Sequence, residues 1–246
     1  MTKIKKFKQF LNEGKYDRLV GILVDDILQI IKESREYWDG EDQEDYETHH
    51  VHEYEGTLKK VNLFLNIGRN RDLNFKDDFE IVAKAYTLED EKNPYKKDLE
   101  EETDSIEIED DGSIVITIII NPDKEPEIYS KIIPELHDAV RHEIEHLTQR
   151  GINKLKNKAI PSKIRDDISF ERNNQHYYYL MRDEIPALVH GLYKRAKWEK
   201  KPLSDIFDNF LDWLEDYGVF QETYKRNLLF NQWKRYAIKN LPNVKF

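Results

Sequence analysis

Residues 133–147 read Ile-Pro-Glu-Leu-His-Asp-Ala-Val-Arg-His-Glu-Ile-Glu-His-Leu, and their spacing decides the fold. Apolar side chains recur every three or four positions, which predicts an amphipathic helix over residues 127–150 that ends at Gly151. The apolar stripe consists of Ile133, Leu136, Val140, Ile144 and Leu147. His142 and His146 lie well away from that stripe on the helical wheel. The helix therefore buries one face and presents the two histidines on another.

After Pro122 the spacing of apolar residues changes from a period of two to a period of 3.6. Strands are predicted over residues 61–67, 79–86, 105–109 and 113–121, the last two joined by a hairpin turn at 110–112. Helices are predicted over residues 15–36, 162–171, 177–198, 203–217 and 222–240, with stops at Gly218 and Pro242. We expect residues 38–56 to form an irregular surface loop and residues 89–104 to form a solvent-exposed insertion between strands. This order predicts an α+β fold with a small antiparallel or mixed sheet.

Composition narrows the classes of function. The 246 residues include 49 acidic and 39 basic side chains, for a formal charge of −10, which disfavours nucleic acid as a partner. No apolar run approaches the length that a bilayer span needs, and the basic N-terminus lacks the apolar core of a secretory signal. Cysteine is absent, so any metal site must use His, Asp or Glu.

The pair His142 and His146 has the spacing of a metal site. Residues four apart on a helix project side by side, so two imidazole nitrogens can occupy neighbouring corners of a tetrahedral zinc site. Glu143 points about 100° further round the helix, where its carboxylate can reach a water on the open side of the metal. Zinc lowers the pKa of such a water towards about 7, and the carboxylate can accept its proton.

This segment resembles the active-site helix of the zincin metallopeptidases, and the strand-rich region before it, with an edge strand at Ile114–Ile120, resembles the zincin order of sheet followed by helix. The resemblance implies that His142 and His146 bind one zinc ion and that Glu143 is the general base. It also implies hydrolysis of a protein or peptide substrate.

A catalytic zinc needs a third protein ligand. The metzincin branch places a histidine six residues after the second one, and that position is Ile152 here. The gluzincin branch supplies a glutamate from a later helix, often followed by a small residue three positions on, and Glu184 with Ala187 resembles that pattern. Further candidates for the third ligand are Asp183, His176 and His190.

Other polar side chains have weaker assignments. Candidate stabilisers of a developing oxyanion are His176, Tyr178 and Arg182, together with the neighbouring Tyr177 and Tyr179. A second histidine cluster, His49, His50 and His52, is expected to bind metals only adventitiously, although His50 and His52 would share one face of a strand.

The N-terminus resembles the cleavable capsid-targeting segment of proteins of contractile-tailed phages, in which a prohead protease cuts after glutamate. The tripeptide Leu11-Asn12-Glu13 matches the pattern at which that protease cuts, and cleavage is expected before Gly14. The resemblance implies phage capsid components as partners and a location in the virion or in the bacterial cytoplasm. An alternative is that these residues simply begin the first helix.

These observations divide the chain into a targeting segment (1–14), a zincin-like domain (15–200) and a helical extension packed on the same core (201–246). They predict a gluzincin-like zinc metallopeptidase. The competing hypotheses are a phage structural or interaction protein with a non-catalytic zinc site, and a zinc hydrolase that acts on a non-peptide amide.

Overall fold

The computed structural model describes residues 2–36, 43–53, 60–71, 78–86, 113–152, 175–241 and 243–246. Within these ranges the chain is α+β, as the sequence predicts. The elements in chain order are α1 (Thr2–Glu36), β1 (Gln43–Glu53), β2 (Lys60–Arg69), β3 (Phe79–Tyr86), β4 (Ser113–Ile120), a 3₁₀ turn (Pro122–Lys124), α2 (Glu125–Ile152), α3 (Gln175–Tyr178), α4 (Glu184–Glu199), α5 (Leu203–Asp216) and α6 (Thr223–Asn240).

The four strands form one mixed sheet in the order β1-β2-β4-β3. Strand β4 lies parallel to β2, with Leu65 opposite Ile116, and antiparallel to β3, with Ala83 opposite Ile116. The expectation of an edge strand at Ile114–Ile120 is therefore wrong. The expected hairpin partner of β4, residues 105–109, lies outside the described residues, and both edges of β4 are already occupied by β2 and β3. A nearly continuous run of β-branched residues is typical of such a central strand.

Strand β1 corrects a second expectation. Residues 43–53 fall in the range predicted to be an irregular loop, yet they pair with β2 in antiparallel register, with His50 opposite Leu63 and His52 opposite Val61. Aspartate and glutamate are depleted in strands, so the pairing of this acidic segment is decided by the neighbouring strand rather than by local preference. The two histidines share one face by alternation, and their side chains lie outside what the structure describes.

The main core lies between one face of the sheet and the helices α1 and α2. Alternate residues of β4 point into it, and the same alternation in β2 contributes a second row of aliphatic side chains. Helix α2 covers this layer with the predicted stripe, of which Leu136, Val140, Ile144 and Leu147 are buried and Ile133 is partly buried. The helix runs through Gly151 to Ile152, so the expected stop at Gly151 is wrong.

Helix α1 begins much earlier than the sequence indicated, at Thr2 instead of residue 15. Glu13 and Gly14 consequently lie inside a continuous helix. Cleavage between them stays a prediction, and it requires α1 to unwind locally. No helix in the described parts of the chain is both long and apolar enough to cross a bilayer.

The last helices build a second cluster of buried side chains around α4, α5 and α6, with Phe207 and Trp233 at its centre. The helix expected over 177–198 is broken: α3 ends at Tyr178 and α4 begins at Glu184, because Pro186 lacks an N–H and suits a first turn. Gly218 has φ +75° and follows α5, as expected. The helix predicted over residues 162–171 and the helix stop predicted at Pro242 lie outside the described residues. The predicted boundary at residue 200, between the zincin-like domain and the helical extension, stays a prediction.

A buried ion pair joins the beginning of α2 to the sheet and to α1. Arg69, at the end of β2, has its Nε 3.5 Å from Oε2 of Glu125, and both side chains are buried. The same guanidinium donates to the carbonyl of Ile31 at 3.2 Å and to the hydroxyl of Ser34 at 3.0 Å. Glu125 also accepts from the hydroxyl of Tyr129 at 3.2 Å, so the buried charges have several polar partners.

Replacing Arg69 by leucine is expected to lower the free energy of unfolding by about 3 kcal/mol, because Glu125 stays buried without its closest cation. Arg71→Leu is the matched control, since the Arg71–Asp123 pair is exposed and should contribute less than about 1 kcal/mol. Urea unfolding followed by circular dichroism measures both. Equal losses for the two variants would contradict the role given to Arg69.

Candidate metal centre

Two histidines of α2 converge on one point. The Nε2 atoms of His142 and His146 lie 3.0 Å apart, with ring centroids separated by 4.8 Å and ring planes inclined at 67°. His146 is buried, and His142 is partly exposed. Helical geometry produces this convergence, because residues four apart lie one above the other on the same face.

The third side chain comes from the first turn of α4. Glu184 is buried, and its Oε1 lies 3.4 Å from Nε2 of His146 while its Oε2 lies 3.5 Å from Nε2 of His142. The carboxylate therefore faces both imidazoles. The ligand atoms of the three residues all lie within 4.8 Å of one another, so this group could hold a metal ion.

The spacing of these atoms can be compared with that of a tetrahedral zinc site. Zinc–ligand bonds of about 2.0–2.2 Å with tetrahedral angles place neighbouring ligand atoms about 3.3–3.6 Å apart. The two distances from the carboxylate fall in this range, and the distance between the imidazoles is slightly shorter. Two imidazoles and one carboxylate are also a common ligand set for a zinc ion with an open fourth position. The residues fit a divalent cation, and the geometry alone does not select zinc.

The charges at this point are strongly coupled. Burial would lower the pKa of His142, but its hydrogen bond with Glu184 and the charges of Glu143 and Glu184 outweigh that effect and raise the pKa to about 9. Burial would raise the pKa of Glu184, but hydrogen bonds from His142 and His146 hold it well below its usual range. The buried carboxylate thus requires a positive charge beside it, which either a proton or a metal cation can provide.

Glu143 lies next to this group without belonging to it. Its Oε1 is 3.9 Å from Nε2 of His142, and its side chain is largely buried. The carboxylate is too far for a hydrogen bond with that imidazole. It is close enough that one water molecule between Glu143 and the three ligand atoms could touch both, which is the position that the sequence predicted for a general base.

The close approach of α2 and α4 depends on small residues. Ala187 and Gly191 lie one and two turns after Glu184, and both are buried. A Cβ atom at Gly191 would lie 2.9 Å from the backbone oxygen of Asp138 and would collide with its side chain. Asp138 precedes His142 by one turn, and burial, followed by the charge of Glu135, raises its pKa to about 7. The absence of a side chain at Gly191 therefore sets the distance between the two helices that carry His142, His146 and Glu184.

A polar network ties the same two helices together beside the ligands. Arg141 donates to Glu145 at 2.8 Å and to Nδ1 of His190 at 3.0 Å. Because arginine can only donate, Nδ1 of His190 accepts and the neutral ring carries its proton on Nε2, which lies 3.4 Å from the hydroxyl of Tyr236. Burial and the charge of Arg141, opposed by Glu145, lower the pKa of His190 to about 4. This hydrogen bond makes His190 a poor candidate for the third ligand.

The remaining predicted site residues have other surroundings. His176 is buried against Tyr177, with ring centroids 4.1 Å apart, and burial together with the charge of Lys225 lowers its pKa. Tyr178 stacks edge-on with Tyr179 at 5.1 Å, and Arg182 is exposed. Their role as oxyanion stabilisers stays a prediction. Asp183 directly precedes α4 and makes no capping hydrogen bond with its side chain.

The sequence pattern singled out neither Asp138 nor Gly191, and it gave Tyr179 only as one of several candidate oxyanion stabilisers. Burial, and then the charge of Glu184, raises the pKa of Tyr179 to about 12, which places its phenol within the electrostatic reach of the centre. The signal for Gly191 was present in the sequence, because Glu184, Ala187 and Gly191 are spaced to share one helix face. Nothing local in the sequence indicated which helix would face them. Comparison of the chain with known protein families, curated proteins and solved structures gives no match.

Gly191→Ala is expected to destabilise the protein by about 2 kcal/mol and to weaken metal binding, because the new methyl group forces α2 and α4 apart. Gly21→Ala is the matched control: nothing lies within 4 Å of a Cβ there, so the change should stabilise α1 by about 0.5–1 kcal/mol. Thermal unfolding and metal titration of both variants provide the measurement. Unchanged metal affinity in Gly191→Ala would contradict the role assigned to the helix spacing.

The contribution of His190 to the free energy of unfolding of the metal-free protein is expected to fall as the pH falls from 6.5 to 4. His190 has a folded-state pKa of about 4, below the ordinary value of 6.5, so the unfolded chain binds more protons in this window. His190→Gln keeps an acceptor for Arg141 and cannot be protonated.

Urea unfolding at several pH values should therefore give His190→Gln a slope of unfolding free energy against pH that is lower by up to about 1.4 kcal/mol per pH unit. Tyr236→Phe removes the neighbouring hydroxyl and leaves the titrating ring in place, so its pH dependence should resemble that of the unaltered protein. Identical slopes for His190→Gln and the unaltered protein would show that the ring does not titrate as described.

Proposed function

We propose that this protein is a zinc-dependent peptidase. The observation that carries the proposal is the convergence of His142, His146 and Glu184 on one point, with Glu143 beside them. Three protein ligands leave one position of a tetrahedral ion open, as in catalytic zinc sites, whereas structural sites are closed by a fourth ligand. Peptide hydrolysis itself rests on the resemblance to gluzincins.

The ion would be held by His142, His146 and Glu184. The two helices that carry them are kept in place by the Arg141–Glu145–His190 network and by the small residues of α4. Zinc, when bound, lowers the pKa of a coordinated water and polarises a carbonyl group. A substrate would reach the ion from the side of His142, because the His142 side chain is partly exposed whereas His146 and Glu184 are buried.

Glu143 performs the proton transfers in this proposal. Its carboxylate accepts a proton from the attacking water as the water oxygen bonds to the carbonyl carbon of the peptide. It then delivers that proton to the leaving nitrogen as the carbon–nitrogen bond breaks. The net reaction adds one water across the peptide bond and leaves Glu143 in its original protonation state.

A non-catalytic metal site in a structural protein is the second candidate. The deep burial of Glu184 and His146 favours it, because structural sites are typically shielded from solvent. Packaging of the protein in a phage particle rests on the N-terminal resemblance alone and is compatible with either candidate.

The decisive comparison is between Glu143→Gln and Glu184→Gln. We expect purified protein to contain one zinc ion per chain and to cleave a dye-labelled unstructured protein. Glu143→Gln should keep the zinc and lose about 10²–10⁴-fold in rate, since it removes general acid–base catalysis. Glu184→Gln should weaken zinc binding by at least about 100-fold, more than the loss of an outer hydrogen-bond partner.

Glu127→Gln, an exposed change on the same helix as the histidines, is the control and should affect neither measurement. Metal bound by the unaltered protein without any hydrolysis would favour the structural candidate. Protein that binds no divalent metal would contradict both candidates.

A further inference from the structure

Two hydrophobic clusters are present in the described part of the chain. The first lies between the sheet and the helices α1 and α2, and we call these elements the sheet unit. The second lies among α4, α5 and α6, which we call the helical unit. The two clusters have no side chain in common within the described ranges. Apolar burial therefore stabilises each unit from within and does little to hold one unit against the other.

Helices α2 and α4 form the junction between the two units, and the side chains that face each other across it are mostly polar or small. Arg195 of α4 pairs with Glu135 of α2 at 2.5 Å, and Arg141 of α2 donates to His190 of α4 at 3.0 Å. Ala187 is fully buried and belongs to neither cluster. The packing of these two helices therefore depends on charges, hydrogen bonds and the absence of bulky side chains.

The contacts at the edge of this junction are accessible to water. Lys194 and Lys197 of α4 lie 3.6 Å and 3.5 Å from the two carboxylate oxygens of Asp17 in α1, and all three side chains are partly exposed. The ring of His137 in α2 lies 4.4 Å from that of Trp198 in α4, which is 51% exposed. Ion pairs that water can reach contribute little to stability. A stronger bond across the junction would therefore decide how firmly the two units are joined.

We infer that a metal ion bound by His142, His146 and Glu184 is the bond that docks the helical unit on the sheet unit. The two histidines belong to α2 and Glu184 belongs to α4, so the ion would be bonded to both units at once. A ligand that binds only the docked arrangement shifts the equilibrium towards it. The inference rests on the metal binding of the proposed function and does not require hydrolysis.

The metal-free protein then populates two arrangements, the docked one and an open one in which α4 has moved away from α2. Opening lets water solvate the buried carboxylate of Glu184, which removes the cost of burying its charge. Both hydrophobic clusters persist in the open arrangement, because neither contains a side chain of the other unit. The metal would thus control whether Glu184 faces the histidines.

Distances between spin labels on the two units test the inference in the full chain. The sequence contains no cysteine, so introduced cysteines can be labelled without background. Val82→Cys on β3 and Tyr224→Cys on α6 replace side chains that are 53% and 64% exposed. Double electron–electron resonance should give a single distance between these labels with zinc bound, and an additional component at a different distance after the zinc is removed by a chelator.

Label pairs within one unit are the controls. Ile22→Cys with Val82→Cys lies within the sheet unit, and Tyr217→Cys with Ile238→Cys lies within the helical unit, all at exposed positions. Neither control distance should change when zinc is removed. An unchanged distance between the units, in protein from which metal analysis shows the zinc to be gone, would overturn the inference. Changes in the control distances would overturn it too, since the ion would then support the fold as a whole.

Arg195→Gln tests the coupling from about three helical turns beyond Glu184. Loss of the pair with Glu135 should weaken zinc binding about threefold or more, because a smaller fraction of the metal-free protein is docked. Removing a positive charge would by itself favour a cation, so weaker binding indicates docking. Lys201→Gln is the matched control: both Arg195 and Lys201 pair with Glu199 of α4, and the pair of Lys201 does not cross the junction.

Competition with a chromophoric chelator measures the zinc affinity of both variants, and equal affinities would contradict the coupling. The outcome is separable from that of the proposed function. Zinc-dependent docking without any hydrolysis would support the inference and contradict only the peptidase. Hydrolysis by a zinc-loaded protein whose units stay docked after zinc removal would leave the peptidase in place and overturn the inference.

Discussion

The carboxylate of Glu184 is buried between two helices, and much of the structure can be understood from that constraint. A negative charge away from water needs a cation or several donors, and the Nε2 atoms of His142 and His146 lie 3.5 Å and 3.4 Å from its two oxygens. The group reaches them because Gly191 lets α4 approach the backbone of α2 at Asp138. The Arg141–Glu145–His190 contacts hold the same two helices on an adjacent face.

Helix α2 connects this site to the rest of the fold. One of its faces lies in the aliphatic layer under the sheet, and another carries the histidines towards α4. Its first residue, Glu125, is held by Arg69 at the end of β2. The position of the histidines is therefore fixed by a packed core and a buried ion pair at one end, and by the α2–α4 contact at the other.

Much of this arrangement followed from periodicity. Alternation and 3.6-residue repeats record which side of each element is buried. They therefore predicted the buried stripe of α2, the helices after residue 200 and the strands at 61–67, 79–86 and 113–121. Local signals failed where pairing with distant residues decided the outcome. Strand β1 has an unfavourable composition and forms through β2, and β4 is central because two separate strands occupy its edges.

The sequence by itself determined that His142 and His146 would lie side by side and that Glu143 would point elsewhere, since helix geometry fixes the direction of residues one to four positions apart. It left the third ligand open among Glu184, Asp183, His176 and His190. Only the tertiary structure decided which of these four side chains meets the two histidines: the carboxylate of Glu184 lies within 3.5 Å of both imidazoles. That choice depends on the packing of two helices separated by more than thirty residues, for which no local pattern carries the information.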